Sequence, residues 1–291
     1  MSQPLHITAA EYHARPEWSC SQVKKLPGEP ELFNQYYVEK SEIEPAAAKA
    51  AELGHSLHSV VLEGESIPLI PIDVLNAQGH RKGAAWKEYE ASHPGPLLTA
   101  AEARPLMKMI EAVQNTPQAA TLLQEDVALE TEVSFVQRHE ATGLPLRCRV
   151  DRIVENSAGL VVCDLKTFRG NPHSRRAFGR EMYNRGYHRQ VAWYVRAVEE
   201  AMGPVLCWCW VVVQNEPPYS CKVWEIDPQA MELGHDENEE ALAELAKRLE
   251  TYNWRPANHD RVGVVNVPQY AYAARAAMTA LVNLEEEYDV D

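Results

Sequence analysis

The sequence predicts a mixed α/β (α+β) fold in which helices flank a central mixed β-sheet. Three observations carry that prediction. Leu129–Gln137, Leu144–Glu155 and Leu160–Thr167 are rich in β-branched residues and separated by turn residues, so they read as three strands. Two further strand-like runs, Val205–Gln214 and Tyr219–Ile226, follow a long helical stretch, Arg175–Met202. Helical patterns over Ala46–Glu63 and Pro228–Thr251 supply outer layers for the sheet.

Residues 1–45 hold short helical stretches around Ser19–Leu26 and Pro30–Glu39, with Pro and Gly between them. Ala46–Glu63 is alanine-rich, and Leu53, Leu57, Val60 and Val61 form an apolar stripe near the helical period. Gly64–Pro71 ends it. Residues 72–98 read as irregular, because Gly79, Gly83, Pro94, Gly95 and Pro96 break any pattern. Thr99 is placed to cap a helix running to about Asn115, and another helical turn follows Pro117. Arg175–Met202 should break near Gly186, and Pro228–Thr251 is amphipathic and acidic. Beyond it lie Pro256, a short Val262–Val267 run and an alanine-rich helix ending in acid. This layout implies one domain over residues 1–255, with a core at about 46–251 and an N-terminal helical part at 1–45. Residues 256–291 are a C-terminal extension. There is no internal repeat.

Composition narrows the class. Of 291 residues, 45% are apolar and 24% charged, as in ordinary globular proteins. No apolar run is long enough for a membrane span, and Met1–His6 lacks the layout of a secretory signal, so a cytoplasmic protein is expected. The six cysteines include no C-x-x-C pair. That spacing fits neither a zinc site nor an iron–sulfur cluster, and Cys148, Cys163, Cys207, Cys209 and Cys221 read as small buried hydrophobes. A net charge of −14 argues against coating nucleic acid by bulk attraction. The charge is uneven, however: Lys166, Arg169, Arg175, Arg176, Arg180, Arg185 and Arg189 are opposed within their segment only by Glu181. A basic face on an acidic body fits local admission of a polyanion; a solvated basic helix has the same signature.

The informative segment is Arg147-Cys148-Arg149-Val150-Asp151 and, after a turn, Cys163-Asp164-Leu165-Lys166-Thr167. With Asn156–Gly159 as a four-residue hairpin loop, Asp151 faces Asp164 across the strands, at a Cβ separation of about 5 Å. Lys166 shares the face of Asp164 because strand side chains alternate. Opposed carboxylates repel, so a hard divalent cation such as Mg²⁺ or Mn²⁺ between them is implied. Such an ion beside a lysine suits phosphodiester hydrolysis. The alternative is a surface hairpin whose acids pair with Arg147, Arg149 and Lys166. Against it, Asp164 and Lys166 follow the apolar run Leu160–Cys163, where charges need a reason.

The chain here resembles the PD-(D/E)xK nuclease superfamily, and within it the RecE-type and RecB-type exonucleases. Gly54-His55-Ser56-Leu57-His58 resembles the G-x-x-x-H helix motif, which implies His58 as a metal ligand. His55, where the family usually has a small hydroxyl residue, would be at most a supporting group. Asp151 and Asp164-Leu165-Lys166 match the D and D-x-K strands, and Gln190-Val191-Ala192-Trp193-Tyr194 resembles the Q-x-x-x-Y helix motif. The resemblance runs in order over about residues 15–255 and takes in the strand bearing Glu132, a candidate for positioning metal or water.

The resemblance implies a restriction-endonuclease-like core and catalytic roles for Lys166, Asp151, Asp164, Gln190 and Tyr194. It implies one or two Mg²⁺ or Mn²⁺ ions held by His58, Asp151, Asp164 and the Leu165 carbonyl. It further implies a 5′→3′ exonuclease on double-stranded DNA ends, a homo-oligomeric ring and a single-strand annealing partner. In a ring, the Arg169–Arg189 cluster would line the channel. Two other readings are action on single-stranded ends, flaps or internal sites, and a non-catalytic DNA-binding module of the same fold. The tail 269–291 lies outside the resemblance.

Overall fold

The computed structural model describes residues 3–41, 56–64, 66, 68–93, 97–124 and 127–257, and scattered positions from 259 to 275. The chain divides into two units, Met1–Trp254 and Arg255–Asp291. In the second, Val262, Val264 and Val265 are exposed; most of the expected alanine-rich helix lies outside the described residues.

The first unit is built on a seven-stranded mixed sheet. Its strands are β1 (Pro4–Leu5), β2 (Trp18–Ser19), β3 (Ala128–Arg138), β4 (Pro145–Asn156), β5 (Gly159–Phe168), β6 (Val205–Gln214) and β7 (Cys221–Glu225). The spatial order is β1-β3-β4-β5-β6-β7, and β2 pairs separately with β4. All neighbours are antiparallel except β5 with β6 and β2 with β4. The parallel β5–β6 step needs a crossover, which α8 (Arg175–Arg185) and α9 (Tyr187–Met202) provide.

The remaining helices are α1 (Ala9–Ala14), α2 (Cys20–Val23), α3 (Pro30–Phe33), α4 (described over 56–61), α5 (Ala84–Ser92), α6 (Ala100–Gln114), α7 (Pro117–Leu123) and α10 (Pro228–Thr251). One sheet face packs Val150, Val162, Trp208 and Trp210 against Val191 and Val195 of α9 and Leu242 of α10. The other packs Cys163, Leu165, Val211 and Val213 against Leu57, Leu106 and Met109. Burial on both faces explains why Leu160–Cys163 and Trp208–Val213 show little alternation of polarity.

Local chemistry accounts for the boundaries. Thr99 caps α6 in a capping box: its hydroxyl accepts from the Glu102 amide at 3.3 Å, and Glu102 accepts the Thr99 amide at 2.8 Å. Gly186, at φ 65°, ends α8 in the left-handed conformation that glycine adopts at no steric cost. Helix α5 falls inside the stretch read as irregular; Trp86 and Tyr89 bury it against Ile70 and Leu97, a tertiary stabilisation that its short pattern does not announce. The N-terminal β1 and α1 were likewise not predicted. The helix expected over Ala46–Glu63 is seen only in its last part, and Gly54 and His55 lie outside the described residues. Cysteines Cys148, Cys163 and Cys221 are buried as expected, but Cys207 and Cys209 are only partly so. No described helix is long and apolar enough to cross a membrane.

Helices α9 and α10 cross closely at Gly234, where an added Cβ would meet the His188 carbonyl oxygen at 2.3 Å. Gly234→Ala should destabilise the fold by about 1–3 kcal/mol, the usual range for overpacking. A urea midpoint unchanged from wild type would refute this crossing.

Candidate active site

The site forms where β4 parts from β5. Strand β5 pairs with β4 only from Arg152 to Asn156, and β2 takes up Leu146 and Arg147 further along. The hairpin turn is tighter than expected: Asn156 pairs with Gly159, leaving Ser157 and Ala158 as a two-residue turn. The centre of symmetry is unchanged, so Asp151 and Asp164 come one step after the last pair, Arg152 with Cys163. On the other side of β4, the pairs Thr131 with Arg152 and Val133 with Val150 bracket Glu132 and Asp151. Register thus sets three carboxylates abreast on three neighbouring strands.

Both outer ladders are irregular at this line. Glu132 has φ 50°, a left-handed backbone in mid-strand that a non-glycine residue adopts only at a cost. On β4, Leu146, Cys148, Val150 and Ile153 all face the first core, whereas Arg152 reaches the carbonyls of Gln124 and Leu62 on the opposite side. Alternation therefore slips by one around Asp151. Its Oδ2 accepts the Leu165 N–H at 2.9 Å, so a side chain takes the place of a ladder carbonyl.

Around this line the groups interlock. His58 presents Nδ1 at 3.6 Å from Asp151 Oδ2 and 3.7 Å from Glu132 Oε1, and its Nε2 is 2.8 Å from the Leu165 carbonyl oxygen. Potential donor atoms of His58, Glu132 and Asp151 lie within 4.8 Å of one another. Arg149 Nε donates to Glu132 Oε2 at 2.7 Å, leaving Oε1 toward His58. Asp164 sits beside this trio rather than within it, almost fully buried at 1% exposure. Lys166 Nζ lies 2.9 Å from its Oδ1 and 2.7 Å from its Oδ2, and Gln190 Nε2 donates to Oδ1 at 3.1 Å. Tyr194, one turn beyond Gln190, packs edge-on against Trp208 with ring centres 5.8 Å apart.

Of the sequence candidates, His58, Asp151, Asp164, Leu165, Lys166 and Gln190 are thus brought together, and Glu132 joins them fully. Arg147, offered as a partner for the acids, turns instead to the carbonyls of Tyr12 and Arg15. Sequence reading missed Tyr187, whose ring centre lies 5.1 Å from Lys166 Nζ. A signal was available: Tyr187 precedes Gln190 by one helical turn.

The electrostatics are those of crowded negative charge. Burial and the neighbouring Asp164 raise the Asp151 carboxyl to about 7. Burial would lower the His58 imidazole, but Asp151 and Glu132 outweigh it and hold it at about 9. Lys166 is held above the ordinary lysine value: burial opposes its charge, while Asp164 and Asp151 outweigh that. Asp164 Oδ2 is buried with no hydrogen-bond donor of acceptable geometry, despite the nearby ammonium. A buried carboxylate balanced by one ammonium, beside two more acids and an imidazole, suits a hard divalent cation. The donor set fits a divalent cation.

A cation held by these groups would displace the His58 proton and ionise Asp151. Both groups hold protons more tightly than in free solution, so protons compete with the ion below those values. Affinity should rise by up to roughly tenfold per pH unit between the two values, about 7 and about 9. Calorimetric Ca²⁺ titration across that range checks this; a flat profile would refute it.

The basic residues separate into two groups. Arg175, Arg176 and Arg180 are exposed along α8; Arg169 pairs with Glu216 and Arg185 with Glu181, both still exposed. Arg189 does not belong to this face. It is buried, donating to Asn238 Oδ1 at 3.0 Å and the Glu237 carbonyl at 3.2 Å, and so ties α9 to α10. Beside Gly186 opens a cavity of about 450 Å³ lined by Lys24, Lys25, Arg185, His188, Arg189 and Glu237. Lys24 and Lys25 escaped the sequence reading because they lie far from the basic segment in the chain.

A mixed sheet with helices on both faces, an acid on each of three adjacent strands and a lysine two residues beyond one of them define a PD-(D/E)xK nuclease fold. The chain belongs to a family described as a PDDEXK-like domain of unknown function (DUF3799), whose model matches residues 19–260. No curated protein matches it in sequence. Among solved structures, a candidate exonuclease from Eubacterium rectale is similar over 91% of this chain and 97% of its own, with 14% identity and a TM-score of 0.60. A phage-related exonuclease from Haemophilus somnus 129PT is similar over 81% of this chain and 96% of its own, at 13% identity and a TM-score of 0.34. At 14% identity the likeness to the Eubacterium rectale protein concerns the fold alone.

Proposed function

We propose that this protein is a divalent-metal-dependent exonuclease that degrades double-stranded DNA from its ends, with 5′→3′ polarity. The observation that carries the reading is the convergence of His58, Glu132 and Asp151 beside the buried Asp164–Lys166 pair. His58, Glu132, Asp151 and Asp164 would hold the cation. The Leu165 carbonyl is the remaining candidate ligand, and the same oxygen lies against His58 Nε2. When bound, the cation would polarise the scissile phosphodiester and offset charge on the leaving oxygen.

The chain's own groups supply the rest. Lys166, kept protonated, places a fixed positive charge where negative charge builds on the phosphorus oxygens. Gln190 holds Asp164 in orientation, and Arg149 does the same for Glu132. The exposed Arg175, Arg176 and Arg180 and the cavity at Lys24 and Lys25 offer cationic contacts for the phosphate backbone on a chain of net charge −14. A homo-oligomeric ring enclosing those residues would leave the acidic surface outside and yield 3′ single strands for an annealing partner.

The test is digestion of end-labelled linear duplex with Mg²⁺, comparing 5′ and 3′ labels, with closed circles alongside. Early loss of the 5′ label with circles intact is expected. Nicked circles, or preference for flaps and single-stranded ends, would replace this reading with another activity of the same site. DNA binding with no cleavage under any divalent ion would leave a non-catalytic module. A strict monomer in sedimentation, with and without DNA, would dismiss the ring.

A further inference from the structure

Tyr187 occupies the first position of α9, directly after the left-handed Gly186. Lys166 Nζ lies 5.1 Å from its ring centre, within cation–π range. Three residues later Gln190 reaches Asp164 Oδ1 at 3.1 Å. Residues i and i+3 share a helix face, and i and i+2 share a strand face. One turn of α9 therefore grips both members of the Asp164–Lys166 pair.

Lys166 thus has two anchors of different kinds. The first is the Asp164 carboxylate, at 2.9 and 2.7 Å. That anchor is also a cation ligand in the reading above, so the ion competes with the ammonium for the same oxygens. A lysine has a flexible four-carbon stem, and one deprived of its carboxylate tends to drift toward solvent. The second anchor is the tyrosine ring, which is neutral and coordinates no hard cation. Among the described residues, the titratable and charged groups facing this ammonium are Asp164, Asp151, His58, Lys24 and Tyr187, and of these only the Tyr187 ring both attracts it and stays clear of the ion.

We infer that Tyr187 is a positioning residue that keeps the Lys166 ammonium beside the site when Asp164 turns to a divalent cation. This rests on the nuclease reading proposed above. Tyr187→Phe keeps the ring and Tyr187→Leu removes it while preserving apolar bulk. In duplex digestion with Mg²⁺, the leucine variant should lose roughly 3- to 30-fold in kcat, the span of a cation–π contact, with KM for DNA little changed. The phenylalanine variant should stay within about twofold of wild type. Thermal unfolding of each variant separates loss of fold from loss of positioning.

A second readout is independent of turnover. Ring current should shift the Lys166 ε-methylene proton resonances upfield, and in the wild type that shift should survive addition of Ca²⁺. A leucine variant as active as wild type overturns the inference. So does a phenylalanine variant as impaired as the leucine one, which would assign the role to the hydroxyl. Collapse of the upfield shift on adding Ca²⁺ overturns it as well. A wild-type protein that cleaves no DNA yet retains the shift would sink the nuclease reading and leave the ring–ammonium pairing standing.

Discussion

Asp151→Asn should abolish metal-supported DNA cleavage, by at least about 10³-fold, while leaving the metal-free fold as stable as wild type or more so. The two halves have one cause. Asp151 is buried beside Asp164, and that burial and repulsion raise its carboxyl to about 7. Near neutral pH the ionised group is therefore held at a cost that an uncharged amide does not bear. Asparagine retains a carbonyl oxygen for the Leu165 amide, so that hydrogen bond survives. What it lacks is the charge needed by a hard cation, whose loss forfeits several kcal/mol of transition-state stabilisation. Loss of the His58 partner offsets part of the stability gain. Paired melting curves and duplex digestion decide it: a variant that melts well below wild type, or that still cleaves, would place Asp151 in the scaffold rather than the site.

Lys166→Met should lower cleavage by about 10²–10³-fold, the usual effect of removing one preorganised charge-stabilising group. It should at the same time tighten binding of Ca²⁺ or Mg²⁺. In the free protein the ammonium lies against both oxygens of Asp164, so it occupies a ligand that the cation needs. Methionine fills a similar volume without competing. Calorimetric titration of the variant measures the second effect. Weaker ion binding together with lost cleavage would mean that Lys166 is needed to build the acidic site, not to act within it.

Much of this arrangement was legible beforehand because it depends on short-range rules. The hairpin register followed from the turn's symmetry, and it survived an error in turn length because a two-residue and a four-residue loop share the same centre. Gly186 announced the α8–α9 break, since helix ends favour a left-handed glycine. The capped helix at Thr99 was readable for a similar reason.

Other features were not legible. Helix α5 owes its existence to the burial of Trp86 against Ile70 and Leu97. Arg189 counted as part of a basic face until α10 proved to cover it. Glu132 was a candidate for positioning metal or water, but that it faces His58 was not readable; its left-handed backbone and its salt bridge with Arg149 turn it there.

The residues alone determined the mixed sheet flanked by helices and the order of its five longer strands, because hydrophobic period and turn chemistry act over a few residues. Tertiary packing decided which groups meet. It joined His58 on α4 to β5, brought Glu132 level with Asp151, set Gln190 and Tyr187 over the Asp164–Lys166 pair and withdrew Arg189 into the core. The physical reason is distance along the chain: contacts between residues tens of positions apart depend on how sheet faces and helices stack, and local sequence carries no measure of that.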